Sequence, residues 1–245
     1  MEQTERSLLN NRIKKFILRI DFASNDTKSF ADIINDISNL FTRLEKRTHI
    51  NYNINVASEK EVLEKQQTPD YVLIDEDQAL KLTFSTFQNA LFIETSNYVN
   101  NLSYKKYISA VEESFNKLGV NCLCKRIGLR FINSFQCKVP KDIVKILSKE
   151  KSKIISSVCI KNQLSRIIVQ EEYNTENMKL RVQYGIPNKY YPAVMTTYDI
   201  LLDIDSFDDS SHPLEEWDEV IRLLNHSAYD VFVKSMNAQY IQNLI

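Results

Sequence analysis

Apolar and polar residues alternate over KKFILRIDFAS, with Phe16, Leu18, Ile20 and Phe22 on one side. That period of two predicts a first strand. The period then changes. Phe30, Ile33, Ile34, Ile37, Phe41 and Leu44 fall at helical spacing, after Ser29 with Asp32 as its capping-box partner. This predicts one amphipathic helix running to a basic last turn at Arg43, Lys46 and Arg47. Tyr52, Ile54 and Val56 alternate in a further strand, and DYVLIDED begins another after Pro69. QALKLTFSTFQNALFIETSNYV predicts a hairpin turning at Gln88 and Asn89. Ser103 caps a second helix with Tyr104, Tyr107, Ile108, Val111, Phe115 and Leu118 along one face, and Gly119 stops it. A strand over residues 121–135 closes a β-α-β-β-β-α-β first half.

In the second half Pro140 introduces a short helix at 142–148, and the charged EKSKIISS reads as a joint. Strands follow at SVCIKNQ, SRIIVQEEY, MKLRVQYGI and YDILLDIDSF. Pro213 opens a long last helix whose Trp217, Val220, Ile221, Leu224, Ala228, Val231 and Phe232 share a face. The fold class is therefore α+β: amphipathic helices on one face of a largely antiparallel sheet. The chain divides into two β/α halves, 1–137 and 138–245, expected to form one compact unit. Disorder is expected at the termini and over 174–177.

Composition narrows the function classes. The 245 residues carry 31 Lys+Arg against 32 Asp+Glu, a net charge of -1, where a dedicated DNA-binding domain carries a basic surplus. The chain has 3 glycines, Gly119, Gly128 and Gly185, too far apart for any glycine-rich phosphate loop or nucleophile elbow. Cys122 and Cys124 form C-x-C; with Cys137, Cys159 and three histidines they offer no zinc-ligand spacing. No metal or cofactor is expected. The polar start and the lack of a long apolar run imply no membrane and a cytoplasmic chain with reduced cysteines.

The candidate chemistry centres on CKRIGLRFINSF. Alternation puts Arg126, Gly128 and Arg130 on one face and Ile127, Leu129 and Phe131 on the other. Asp203 and Asp205 likewise share one face of their strand, with opposite charge. Two readings follow. The four charges form a cross-strand ladder joining the halves, which the usual pairing of strand charges favours. Alternatively they line a phosphate or Mg²⁺ site for phosphoryl or nucleotidyl transfer. Tyr184, Tyr190, Tyr191 and Tyr198, beside prolines, suggest an interaction surface or a roof over the core. His226 reads as a helix-surface residue, His212 as a lead-in to the last helix. Neither belongs to a recognisable nucleophile set.

RIGLRFINSF, LLDIDSF and LLNHSAYDVFVKSM together resemble an uncharacterised, sporadically distributed family of bacterial proteins. The resemblance singles out Arg126, Gly128, Leu129, Arg130, Phe131, Asn133, Asp203, Asp205, His226 and Phe232. It implies no activity. The patchy distribution resembles that of toxin–antitoxin and phage-defence genes. The expectation is a non-catalytic protein that binds and controls a protein partner encoded nearby. The alternatives are a nucleotide or nucleic-acid binder, less favoured, and a self-assembling subunit.

Overall fold

The computed structural model describes residues 13–23, 28–55, 62–77, 79–100, 102–137, 139–158, 165–175, 178–193 and 198–243. The first alternating segment is β1 (Ile13–Phe22), with Phe16, Leu18, Ile20 and Phe22 buried. Helix α1 (Lys28–Ile37) buries Phe30, Ile33, Ile34 and Ile37, and a 3-10 turn continues it to Leu40. It goes no further. The expected second half of the helix, with Arg43, Leu44, Lys46 and Arg47, is instead the start of β2 (Arg43–Asn55). Leu44 matched the helical period by coincidence. It lies opposite Leu73 in an antiparallel ladder with β3 (Val62–Asp75), where thirteen residue pairs outweigh one more helical turn. Strands β4 (Leu80–Ser85) and β5 (Ala90–Thr95) form the expected hairpin, turning through Asn89 at φ +50°. Helix α2 (Leu102–Lys117) ends at Gly119, whose φ of +65° suits a residue without Cβ. The side chains of the expected caps Ser29 and Ser103 lie outside the described residues.

Strand β6 (Leu123–Cys137) is followed by α3 (Ile143–Ile146) and α4 (Lys149–Val158). The expected joint is thus a helix, with Ile155 fully buried on its inner side. Ser157 and Val158 of the expected SVCIKNQ strand end that helix, and its remaining residues lie outside the described ones. Strands β7 (Ile167–Asn174), β8 (Lys179–Ile186) and β9 (Tyr198–Asp208) make a meander. Thr175 closes its first turn by hydrogen bonds with Met178, so of the segment expected to be disordered Asn174 and Thr175 are ordered; 176 and 177 lie outside the described residues. β10 (His212–Pro213) pairs with the start of β6 and leads into α5 (Trp217–Ser235) and α6 (Ala238–Gln242).

All the described strands join one antiparallel ten-stranded sheet in the order β2-β3-β4-β5-β1-β6-β9-β8-β7, with β10 paired to β6. The two halves meet along the β6–β9 ladder, which runs from Ile127 opposite Asp208 to Cys137 opposite Tyr198. The fold is α+β, with its helices against the sheet. The hydrophobic core lies on their side: Phe16 stacks on Tyr104, Phe30 packs on Phe84, and Trp217 meets both Phe22 and Phe115. The opposite face carries the alternate residues of every strand, among them Arg19, Arg126, Arg130, Arg181, Asp203 and Asp205. Among the described residues no helix is long and apolar enough to cross a membrane.

Candidate functional site

The centre of the helix-free face belongs to β6 and β9. Asp21 lies opposite Arg126 and Phe22 opposite Cys124, so Lys125 is an extra residue in β6. This bulge puts Cys124 and Ile127 both in the core while aiming Arg126 outward. Arg130 grips Asp203 with two bonds, Nε to Oδ1 at 3.0 Å and Nη2 to Oδ2 at 2.6 Å. The hydrogen bond to Asp203 raises the Arg130 pKa. Arg126 is held differently. Its guanidinium lies 4.3 Å from the centre of the Phe207 ring, and its nearest acidic oxygen, on Asp205, is 3.9 Å away. Asp205 itself is pushed above the usual carboxylate range, because burial outweighs the attraction of Arg126, Arg130 and Arg181.

Gly128 sits between the two arginines, directly opposite Phe207. A Cβ there would lie 3.2 Å from Phe207 Cβ and 3.8 Å from Arg126 Nε and Nη2. The room above Gly128 is therefore taken by an aromatic ring and the guanidinium stacked on it. It is not a gap for a ligand. Asp203 is likewise committed, since both its oxygens accept from Arg130. Among the described residues no three His, Cys, Asp or Glu side chains converge as a metal site requires.

Two residues expected to share this site do not reach it. Asn133 is buried on the core face, where its Nδ2 donates to the carbonyl of Leu202 at 3.1 Å. Alternation puts it with Phe131 and Phe135 rather than with the arginines, and its amide serves the backbone at the β6–β9 join. His226 is exposed on α5, on the other side of the sheet, 3.7 Å from Asp230 of its own helix. The strength of the central pair can be measured. Asp203→Ala is expected to lower stability by about 1–2 kcal/mol. The figure stays modest because Arg130 is 44% exposed and can turn to water. A double-mutant cycle with Arg130→Ala in urea should return a coupling of about 1 kcal/mol. Additive effects would mean that the contact contributes nothing.

No family model matches the chain, and no curated protein is similar enough to count as a relative.

The tyrosines divide. Tyr184 is fully buried and gives its hydroxyl to Glu171 at 2.8 Å. It is part of the core and not of any surface, because even-numbered residues of β8 face the helices. Tyr198 is half-buried and packs against the core. Tyr190 and Tyr191 stand out at 77% and 61% exposure, the highest of the large apolar side chains described. Their loop is tied internally. Asn188 accepts from the Tyr190 amide at 2.9 Å and donates to the Ala193 carbonyl at 2.7 Å, and Ala193 N donates to the Tyr190 carbonyl at 2.8 Å. Arg166 stands over the Tyr191 ring at 5.9 Å.

Sequence reasoning missed the surroundings of His212. Its Nε2 lies 3.0 Å from both Asp208 Oδ2 and Ser210 Oγ, and its Nδ1 lies 3.0 Å from Glu216 Oε2. Ser, His and Glu in that order invite a catalytic reading. The hydrogen bonds oppose it. Ser210 gives its hydroxyl proton to Asp208, and Nε2 faces the Asp208 carboxylate, so the nitrogen is placed to donate rather than to accept the serine proton. The available signal was the spacing Asp208, His212, Glu216, two acids four residues to either side of the histidine.

Proposed function

We propose that the chain belongs to the sporadically distributed bacterial family whose marks it carries, and acts in the cytoplasm as a non-catalytic interaction protein that binds and controls a protein partner encoded nearby. An antitoxin, an inhibitor or a defence-system accessory is such a protein. The observation that carries this reading is the 187–193 loop, which holds Tyr190 and Tyr191 out to solvent on a hydrogen-bonded frame. Exposed aromatics on a pre-ordered loop bind at low entropic cost and are the residues most often found at the energetic centre of interfaces. Two of the four charged residues that a nucleotide-handling site would need, Arg130 and Asp203, already satisfy each other, and Arg126 lies over Phe207.

Co-expression with the products of the neighbouring genes tests the reading. One of them should co-purify, and the Tyr190→Ala/Tyr191→Ala variant should bind it about tenfold or more weakly while melting at the same temperature. No complex with any neighbour, together with stabilisation and turnover of a nucleotide in the presence of Mg²⁺, would replace it with the nucleotide-handling alternative.

A further inference from the structure

The segment joining β9 to α5 is fastened through a single imidazole. Asp208 ends β9. His212 and Pro213 pair with Cys124 and Leu123 at the start of β6. Glu216 ends the 3-10 turn that delivers Trp217, the fully buried first residue of α5. His212 reaches Asp208 with one ring nitrogen and Glu216 with the other, both at 3.0 Å, and its side chain is largely covered. Two carboxylates on the two nitrogens are satisfied together only by the imidazolium, since a neutral ring carries one N–H. The groups facing the ring come from each neighbouring element: Asp208 from β9, Ser210 from the turn and Glu216 from the 3-10 turn. Cys124 of β6 gives its thiol to the His212 carbonyl at 3.3 Å, and Asp209 beside the turn is paired with Lys179.

We propose that His212 is a pH-sensitive latch, holding the lead-in of α5 on the sheet while charged and releasing it on loss of its proton. Deprotonation takes away one of the two N–H donors and turns a lone pair toward a carboxylate. The β10–β6 pairing and the turn before Trp217 then lose their common tie. Burial by itself would push the His212 pKa down, but the bonds to Glu216 and Asp208 outweigh it and raise the pKa above its ordinary 6.5. A group raised in the folded state contributes stability that is complete below about pH 6.5 and is lost as the pH rises through the folded value. On the acid side Asp208, held below its ordinary 3.8 by Ser210 and His212 in spite of burial, keeps its charge until the pH falls below that range. The latch is therefore closed between those limits.

The test combines an NMR titration of His212 in the full chain with amide hydrogen exchange over 209–217, corrected for the intrinsic dependence on pH. His212 should titrate above 6.5. Exchange in that segment should quicken by up to about tenfold per pH unit between 6.5 and the midpoint and level off above it, while β1 stays protected. Glu216→Gln removes one arm at an exposed residue without disturbing the core. It should move both the midpoint and the onset of faster exchange to lower pH. The latch is overturned by titration at or below 6.5, by protection that does not change between 6.5 and the midpoint, or by a Glu216→Gln profile that coincides with the wild type.

Discussion

Gly185→Ala is expected to cost about 3 kcal/mol or more and to loosen β7 from the sheet. Gly185 lies inside β8 at φ +149°, a conformation that side chains resist. Its neighbour on β7 is also unusually close. A Cβ built there falls 2.2 Å from the carbonyl oxygen of Ile167 and 3.0 Å from its carbon. Backbone cannot turn aside as a flexible side chain can, so the β7–β8 ladder must shift along its length. In a domain of this size such a loss lowers the melting temperature by roughly 6–12 °C. Urea denaturation gives the free energy, and hydrogen exchange shows whether β7 amides lose protection first. Gly119→Ala is the control. It also has a positive φ, +65° in the left-handed helical region, but nothing within 4 Å of the added Cβ, so it should cost about 1 kcal/mol from conformation alone. Equal effects at the two positions would remove the close approach from the explanation.

The pattern of apolar positions located nearly every strand and helix because burial on one face leaves a period in the sequence. It failed where an exposed edge removed that constraint. β2 is an edge strand with Arg43, Leu44, Lys46 and Arg47 all exposed, so nothing forced alternation, and a helical match across Phe41 and Leu44 arose by chance. α4 was unreadable for the opposite reason. It spends few apolar residues on the core, and EKSKIISS looks like a linker when only Ile155 is fully buried. The order of the sheet was out of reach of any local signal. β1 sits between β5 and β6 through contacts that span most of the first half. The charge pattern was more informative, because two arginines on one face of a strand and two aspartates on one face of another suit adjacent strands, and β6 and β9 are adjacent. It did not show that Arg126 would stack on Phe207 instead of bonding to Asp205. Asn133 was legible by the same alternation, since it shares the parity of Ile127, Leu129 and Phe131, and the bulge at Lys125 lies before it.

These particulars bear on function. The helix-free face is rich in charge, but three of its arginines are already paired, Arg130 to Asp203, Arg181 to Glu172 at 2.9 Å and Arg19 to Asp21 at 2.8 Å, and Arg126 lies over Phe207. An anion arriving at the three paired arginines would have to displace a carboxylate already in place and leave it facing water or a like charge. A partner with an aromatic or apolar pocket meets no such competition at Tyr190 and Tyr191. Recognition is thus easier at the loop than across the sheet.

Glu171→Ala should be the most damaging change to a charged residue, at about 3 kcal/mol. Glu171 lies on the helix side of β7 and collects three donors. Lys151 of α4 reaches it at 2.5 Å, Tyr173 at 2.6 Å and Tyr184 at 2.8 Å. Lys151 is only 12% exposed and sits over the Tyr184 ring at 4.2 Å, so this ion pair docks α4 onto the outer strands. Burial pushes the Glu171 carboxyl up, but the donors from Lys151, Tyr173 and Tyr184 outweigh it and hold the group below the usual 4.5. Its contribution is therefore present above about pH 4.5 and is lost as the pH falls through the folded value. Truncation leaves a covered ammonium with no counter-charge and two tyrosine hydroxyls without their acceptor. Removing the lysine instead is a different experiment. Lys151→Met keeps the bulk over Tyr184 and leaves Glu171 its two hydroxyl donors, so its cost should stay below about 1 kcal/mol. The Glu171→Ala/Lys151→Met double variant should then recover much of what Glu171→Ala loses, because the stranded charge is gone. Urea denaturation of the four proteins separates the cases. If the double variant is as unstable as the sum of the singles, the loss comes from packing and the tyrosines, and the buried charge is not what binds α4 to the sheet.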